Sequence, residues 1–291
     1  MLDGGIGRIE MLHRSNIMAL VGGGKLPKFD KGKVIIWDDQ EKQVYNEIAF
    51  NSDVLNVKLK KDLVMVSIES EINVYSFPDI DFKKKYETSK NDKGIMVVNG
   101  SEARNVLAFP GKTKGSVTVV NFENETEFII DNAHETEIGQ IGINYDGTLI
   151  ATCSEKGTLI RIFGTDKLEK PFAELRRGAE KAEIYSLAFS PDNKFLCCAS
   201  DRGTVHVFAL GFDDKVQAKN KKSMLNFIPL TYFKSEWSFA QLKLNESKAI
   251  CAFGKDDSIL VLTDENKYYQ AVFDLEKGGD CTVKDAQTIS Y

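Results

Sequence analysis

EIGQIGINYDGTLIATCSEKGTLIRIF (137–163) and IYSLAFSPDNKFLCCASDRGTVHVF (184–208) are the two stretches that decide the fold. Each opens on an extended run, turns at Tyr145-Asp146-Gly147 or Pro191-Asp192-Asn193, and continues through a second run to Ala151-Thr152-Cys153-Ser154 or Cys198-Ala199-Ser200. A second turn, Glu155-Lys156-Gly157-Thr158 or Asp201-Arg202-Gly203-Thr204, leads into a third run ending in Phe163 or Phe208. Short alternating runs between Gly, Asp, Asn and Ser clusters read as strands joined by turns. Asp-Gly and Arg-Gly suit such turns because glycine accepts positive φ without penalty. The two stretches align almost residue for residue, pairing Ser154 with Ser200, Lys156 with Arg202 and Thr158 with Thr204.

The third run recurs in both directions along the chain. Val34-Ile35-Ile36-Trp37, Ile72-Asn73-Val74-Tyr75 and Val117-Thr118-Val119-Val120 precede it, and Ile259-Leu260-Val261-Leu262 follows. Successive copies lie about 40 residues apart, except for a last interval of about 54. Almost no stretch shows helical period. A period near 40 with about four strands per unit predicts an all-β fold, a β-propeller of the WD-repeat kind, with six units in a single domain over residues 1–291.

Composition narrows the function. Hydrophobic residues make up 42% and charged residues 28% of the chain, enough for a sizeable core. The formal charge of −5 argues against a surface that clings throughout to nucleic acid, so anion binding has to come from local patches. The five cysteines include no CxxC pair, and Cys197 and Cys198 are expected as buried free thiols facing opposite ways. Neither a metal nor a cofactor is expected. Without a basic segment leading into an apolar run, and without 18 consecutive apolar residues, the chain reads as cytosolic. Gly22-Gly23-Gly24-Lys25 lacks the spacing of a phosphate-binding loop and reads as a wide turn, and Lys83-Lys84-Lys85 as a solvated strand end. No nucleophile with its base and no acid pair stands out, so an enzyme is not expected.

One motif carries chemistry. Leu175-Arg176-Arg177-Gly178 ends an alternating run, and adjacent side chains on a strand point to opposite faces. Such a strand offers one guanidinium to each side, and the guanidinium fork matches phosphate. Two readings are open: solvated surface charge, or the shared wall of two anion sites. Ser154, Thr158 and Lys156 on one side and Ser200, Thr204 and Arg202 on the other flank this strand. His134 and His206, two of the three histidines, fall in the same two units and can donate to phosphate.

These residues resemble a known family. Ser154–Phe163, Leu175-Arg176-Arg177-Gly178 and Ser200–Phe208 are similar to the PROPPINs, β-propellers that bind polyphosphoinositides. Leu175, where most members carry Phe, resembles a branch that includes two of the four mammalian WIPI proteins; Leu20–Lys25, Ile36-Trp37-Asp38-Asp39 and Trp237-Ser238-Phe239 fit that branch. The resemblance implies a peripheral membrane protein that recognises phosphatidylinositol 3-phosphate and phosphatidylinositol 3,5-bisphosphate in autophagy, recruited to phagophore, endosomal or lysosomal/vacuolar membranes. It implies a first headgroup site of His134, Ser154, Thr158, Arg161 and Arg176, and a second of Arg177, Ser200, Arg202, Thr204 and His206. It implies as partner the bridge-like lipid-transfer protein of autophagy, and a monomer with no nucleic-acid role. Members have seven blades. Six are counted here, Asp3-Gly4-Gly5-Ile6-Gly7 already resembling the start of the second, so the first blade is expected to be missing.

The long last interval holds residues 211–229, with Lys219, Lys221 and Lys222 followed by Met224, Leu225 and Phe227. In the family a loop at this place enters the bilayer, and clustered lysines beside apolar side chains suit an anionic interface. The other reading makes residues 224–230 the outer strand of their blade. Against the lipid-effector reading stands a protein-interaction propeller with weak or no lipid binding.

Overall fold

The computed structural model describes residues 4–166, 170–211, 220, 236–246 and 248–290, and every regular element among them is a strand. The strands group into six sheets. The first comprises Ile6–Met11, Ile17–Gly22, Lys33–Asp38 and Gln43–Ala49; the second Asn56–Leu59, Leu63–Ile68, Glu71–Ser76 and Phe82–Glu87; the third Val97–Val98, Val106–Pro110, Val117–Asn121 and Thr126–Ile130. The fourth comprises Ile138–Ile143, Leu149–Ser154, Leu159–Gly164 and Ala173–Arg176; the fifth Ile184–Phe189, Phe195–Ser200, Thr204–Ala209 and Ala240–Lys243; the sixth Ala249–Phe253, Ser258–Thr263, Lys267–Val272 and Thr282–Thr288. These are the six four-stranded units of a β-propeller that the period predicts.

Turn chemistry sets the strand ends. Gly147 and Asn193 close equivalent turns at φ 73° and 60°, where asparagine is among the few side chains tolerated in place of glycine. The first strands of the fourth and fifth sheets carry matching bulges, between Ile138 and Gln140 and between Ile184 and Ser186. Each of these sheets gains a two-residue parallel strand from further along the chain: Glu236–Trp237 beside Ala173–Arg176, and Gly279–Asp280 beside Ala240–Lys243.

The chain forms two compact units, residues 1–98, 102–113 and 120–126 in one, and 99–101, 114–119 and 127–291 in the other. In the first, Val21, Val34 and Ile36 pack with Val57, Val64 and Val66 from the second sheet. In the second, Ala151, Cys153, Ile160, Ile162 and Leu175 of the fourth sheet meet Leu196, Cys198 and Phe208 of the fifth. The opposite face of the fifth, with Cys197, Val205 and Val207, packs on Cys251, Ile259 and Val261 of the sixth. Cys197 and Cys198 thus lie in different cores, and all described cysteines are free. Lys83-Lys84-Lys85 lies on the exposed outer strand of its sheet, where Lys85 pairs with Glu71 at 3.0 Å and Lys84 sits over the Tyr86 ring.

The fourth-strand place in the fifth sheet is taken by Ala240–Lys243, and residues 224–230 lie outside the described residues. Lys219, Lys221, Lys222, Met224, Leu225 and Phe227 lie outside the described residues. Among the described residues no helix is long and apolar enough to cross a membrane.

Candidate functional site

The outer strand Ala173–Arg176 of the fourth sheet pairs Leu159 with Arg176 and Arg161 with Glu174, and the Arg177 N–H extends the ladder to the Thr158 carbonyl at 3.0 Å. Alternation therefore places Arg176 on one face with Glu174, Arg161 and Thr152, and Arg177 on the other with Leu175 and Ile160. Both arginines are buried, at 5% and 6% exposure. This rules out the solvated-charge reading, because a buried guanidinium has to be hydrogen-bonded.

On the first face, the His134 Nε2 lies 3.0 Å from the Thr152 hydroxyl. Arg161, opposite Thr152 in the register, donates from Nε to Glu174 Oε2 at 2.9 Å and from Nη1 to the Ala133 carbonyl at 2.6 Å. Ser154 lies two residues beyond Thr152 on the same face, and Lys156 in the turn pairs with Glu135 at 3.2 Å.

On the second face, Arg177 donates from Nε to the Gly157 carbonyl at 2.9 Å and from Nη2 to the Glu180 carbonyl. Ser200, Thr204 and His206 share the face of the fifth sheet that carries Cys198 and Phe208, which packs against the fourth sheet on the side of Leu175. The His206 Nδ1 is 3.1 Å from the Ser238 hydroxyl. Arg202, in the turn, donates from Nε and Nη2 to the Lys181 carbonyl at 3.1 and 2.6 Å. The register thus puts Arg161, Ser154 and Arg176 on one face of the fourth sheet and Arg177 on the other, the side on which Ser200, Thr204 and His206 of the fifth sheet pack, while Thr158 and Arg202 stand in turns.

The register corrects one detail. Thr152 opposes Arg161, and Cys198 opposes His206, so Arg161 and His206 are equivalent and Thr204 matches Leu159, one place beyond Thr158. The earlier turn is one residue longer, and Thr158 belongs to it. Sequence reading also missed Thr152, Glu174 and Ser238. The first two lie two residues before Ser154 and Arg176 on the same strands, a spacing that signals a shared face. Ser238 is 32 residues from His206 and carries no local signal.

Burial, with Arg161 nearby, pulls His134 down to about 4, and burial, with Arg177 nearby, does the same to His206. Both are therefore neutral at pH 7. Burial likewise lowers the Arg177 pKa. The unfolded chain takes up these two protons near pH 6.5 while the folded chain refuses them until about 4. Their contribution to stability is complete above 6.5 and is lost as pH falls towards 4, on the order of 3 kcal/mol per histidine. Chemical denaturation between pH 7 and 4.5 should show this slope, and a His134→Asn/His206→Asn variant should flatten it.

The arrangement suits two small polyanions: each group combines guanidinium, imidazole and hydroxyl donors. Among the described residues no cluster of His, Cys, Asp and Glu could hold a metal ion. A family model described as PROPPIN matches residues 9–289. Autophagy-related protein 18e of Arabidopsis thaliana is 37% identical over 277 residues, covering 93% of this chain and 73% of its own. The solved structure of Kluyveromyces lactis Hsv2 is similar with a TM-score of 0.78 at 25% identity, covering 98% of this chain and 87% of that one. A solved complex of KlAtg21 with the coiled coil of AgAtg16 shares the fold, with a TM-score of 0.77 at 22% identity, covering 97% and 84%.

Proposed function

This chain belongs to the PROPPIN family of autophagy-related, phosphoinositide-binding propellers, and from that premise we propose that it is a peripheral effector of phosphatidylinositol 3-phosphate and phosphatidylinositol 3,5-bisphosphate. The observation that carries the reading is the separation of Arg176 and Arg177 onto opposite faces, the first sharing its face with Thr152, which bonds His134, and the second lying near His206. His134, Ser154, Thr158, Arg161 and Arg176 would receive one headgroup; Arg177, Ser200, Arg202, Thr204 and His206 the other. Arginine supplies charge-assisted hydrogen bonds, and serine and threonine fix the orientation of the inositol ring. The segment 211–229, with its lysines and apolar residues, would add contact with the surface. Once docked, the protein would recruit autophagy machinery. A lipid-transfer protein is the partner expected for this branch, whereas KlAtg21 holds a coiled coil.

Vesicle sedimentation tests the reading. The chain should pellet with phosphatidylcholine vesicles carrying either phosphoinositide and stay in solution with phosphatidylcholine alone. Pelleting should fall as salt rises, since headgroup and lysine contacts are screened within a Debye length. Equal recovery with both kinds of vesicle would make the protein an interaction scaffold instead.

A further inference from the structure

The turn cation beside each candidate site already has a carboxylate. Lys156 Nζ lies 3.2 Å from Glu135 Oε2, and Arg202 Nη1 lies 3.5 Å from Glu180 Oε2, with the neighbouring Asp201 Oδ1 at 3.9 Å from its Nε. Both glutamates stand in the segments that lead into the first strands of their sheets, just before Ile138 and Ile184. Their side chains are 88% and 80% exposed, so neither is held there by packing. The third pair, Arg161 with Glu174, is different: both side chains are three-quarters buried and lie on adjacent strands. Arg177 differs again, its fork donating to the Gly157 and Glu180 carbonyl oxygens.

We propose that Glu135 and Glu180 are resident counter-ions of the two sites, displaced from Lys156 and Arg202 when a headgroup phosphate binds. The inference takes its ligand from the phosphoinositide reading above. A phosphate monoester brings more charge and more acceptor oxygens than one carboxylate, so it wins the exchange. The exposed glutamates cost the ligand little to move, because an exposed ion pair is weak. They set a threshold: a sparsely anionic surface meets cations that are already neutralised.

Glu135→Gln and Glu180→Gln keep side-chain size, and Glu180→Gln keeps the backbone carbonyl that accepts from Arg177. Each should raise the affinity for phosphoinositide vesicles about threefold, the scale of one exposed ion pair. The double variant should gain about tenfold, bind phosphatidylserine vesicles better than the native chain, and show a steeper salt dependence. Glu41→Gln, in a turn of the first sheet outside both groups, removes the same charge and should change nothing. If the native chain binds phosphoinositide vesicles and the variants bind them no better, the counter-ion role is wrong and the lipid reading stands. If the native chain ignores phosphoinositide while the double variant gains on phosphatidylserine, the lipid reading is wrong and the counter-ion role stands. An equal gain from Glu41→Gln would reduce the effect to net charge and overturn the proposal.

Discussion

Replacing Arg176 and Arg177 together by alanine is expected to lower affinity for phosphoinositide vesicles by about a hundredfold or more, since each charge-assisted hydrogen bond contributes about 1.5–3 kcal/mol. The two residues serve opposite faces, so each single replacement should disable one site and leave the other intact. Two headgroups on one vesicle act as a bivalent ligand, and losing one site therefore costs more than half of the binding. Arg177→Ala also removes the donor that satisfies the Gly157 and Glu180 carbonyls, so some loss of stability accompanies it. Arg177→Lys separates the two effects. Lysine keeps the charge but not the fork, and should keep the fold while losing most binding at the second site. Circular dichroism and a thermal melt alongside sedimentation identify a variant that has merely unfolded. Unchanged binding by a folded double variant would end the headgroup reading.

The strand runs, their period and the alternation of the arginine pair between faces were all legible in the sequence because they are local patterns. The two-residue parallel strands Glu236–Trp237 and Gly279–Asp280 were not, since two residues show no alternation and their pairing is set by tertiary contact. The offset between Thr158 and Thr204 was hidden by the shared Gly-Thr pair. Matching letters aligned the two turns, while the hydrogen-bond register counts residues and places one more in the earlier turn. The environment of the histidines was hidden as well: a sequence shows an imidazole, whereas only packing shows that it is desolvated and kept neutral beside a guanidinium. The cations of the sites carry the same lesson. Sequence reading counted them as charge available to a ligand, but Arg161 is committed to Glu174, and Lys156 and Arg202 are paired in the resting protein.

Three glycines near the arginine pair should respond to alanine in a graded order. Gly157 sits at φ 59°, and a Cβ there would lie 1.9 Å from the Ala182 carbonyl oxygen. The left-handed conformation alone costs an alanine about 1–2 kcal/mol, and the clash with backbone cannot be relieved by a side-chain rotation. Gly157→Ala should therefore destabilise by about 3 kcal/mol or more. Because the Gly157 carbonyl holds Arg177 Nε, any shift that relieves the clash also moves the guanidinium, so binding at the second site should fall even in the fraction that stays folded. Gly203 occupies the corresponding turn at φ 64°, but its nearest atoms would be the Leu244 and Glu246 carbonyl oxygens at 3.1 and 3.2 Å, so Gly203→Ala should cost chiefly the backbone term. Gly178 directly follows the arginines, yet a Cβ there would meet nothing within 4 Å, and Gly178→Ala should be near neutral in both stability and binding. Equilibrium unfolding of the three variants reads the series. If Gly178→Ala proved as costly as Gly157→Ala, the support of Arg177 would have to come from the segment after it and not from the turn that its side chain grips.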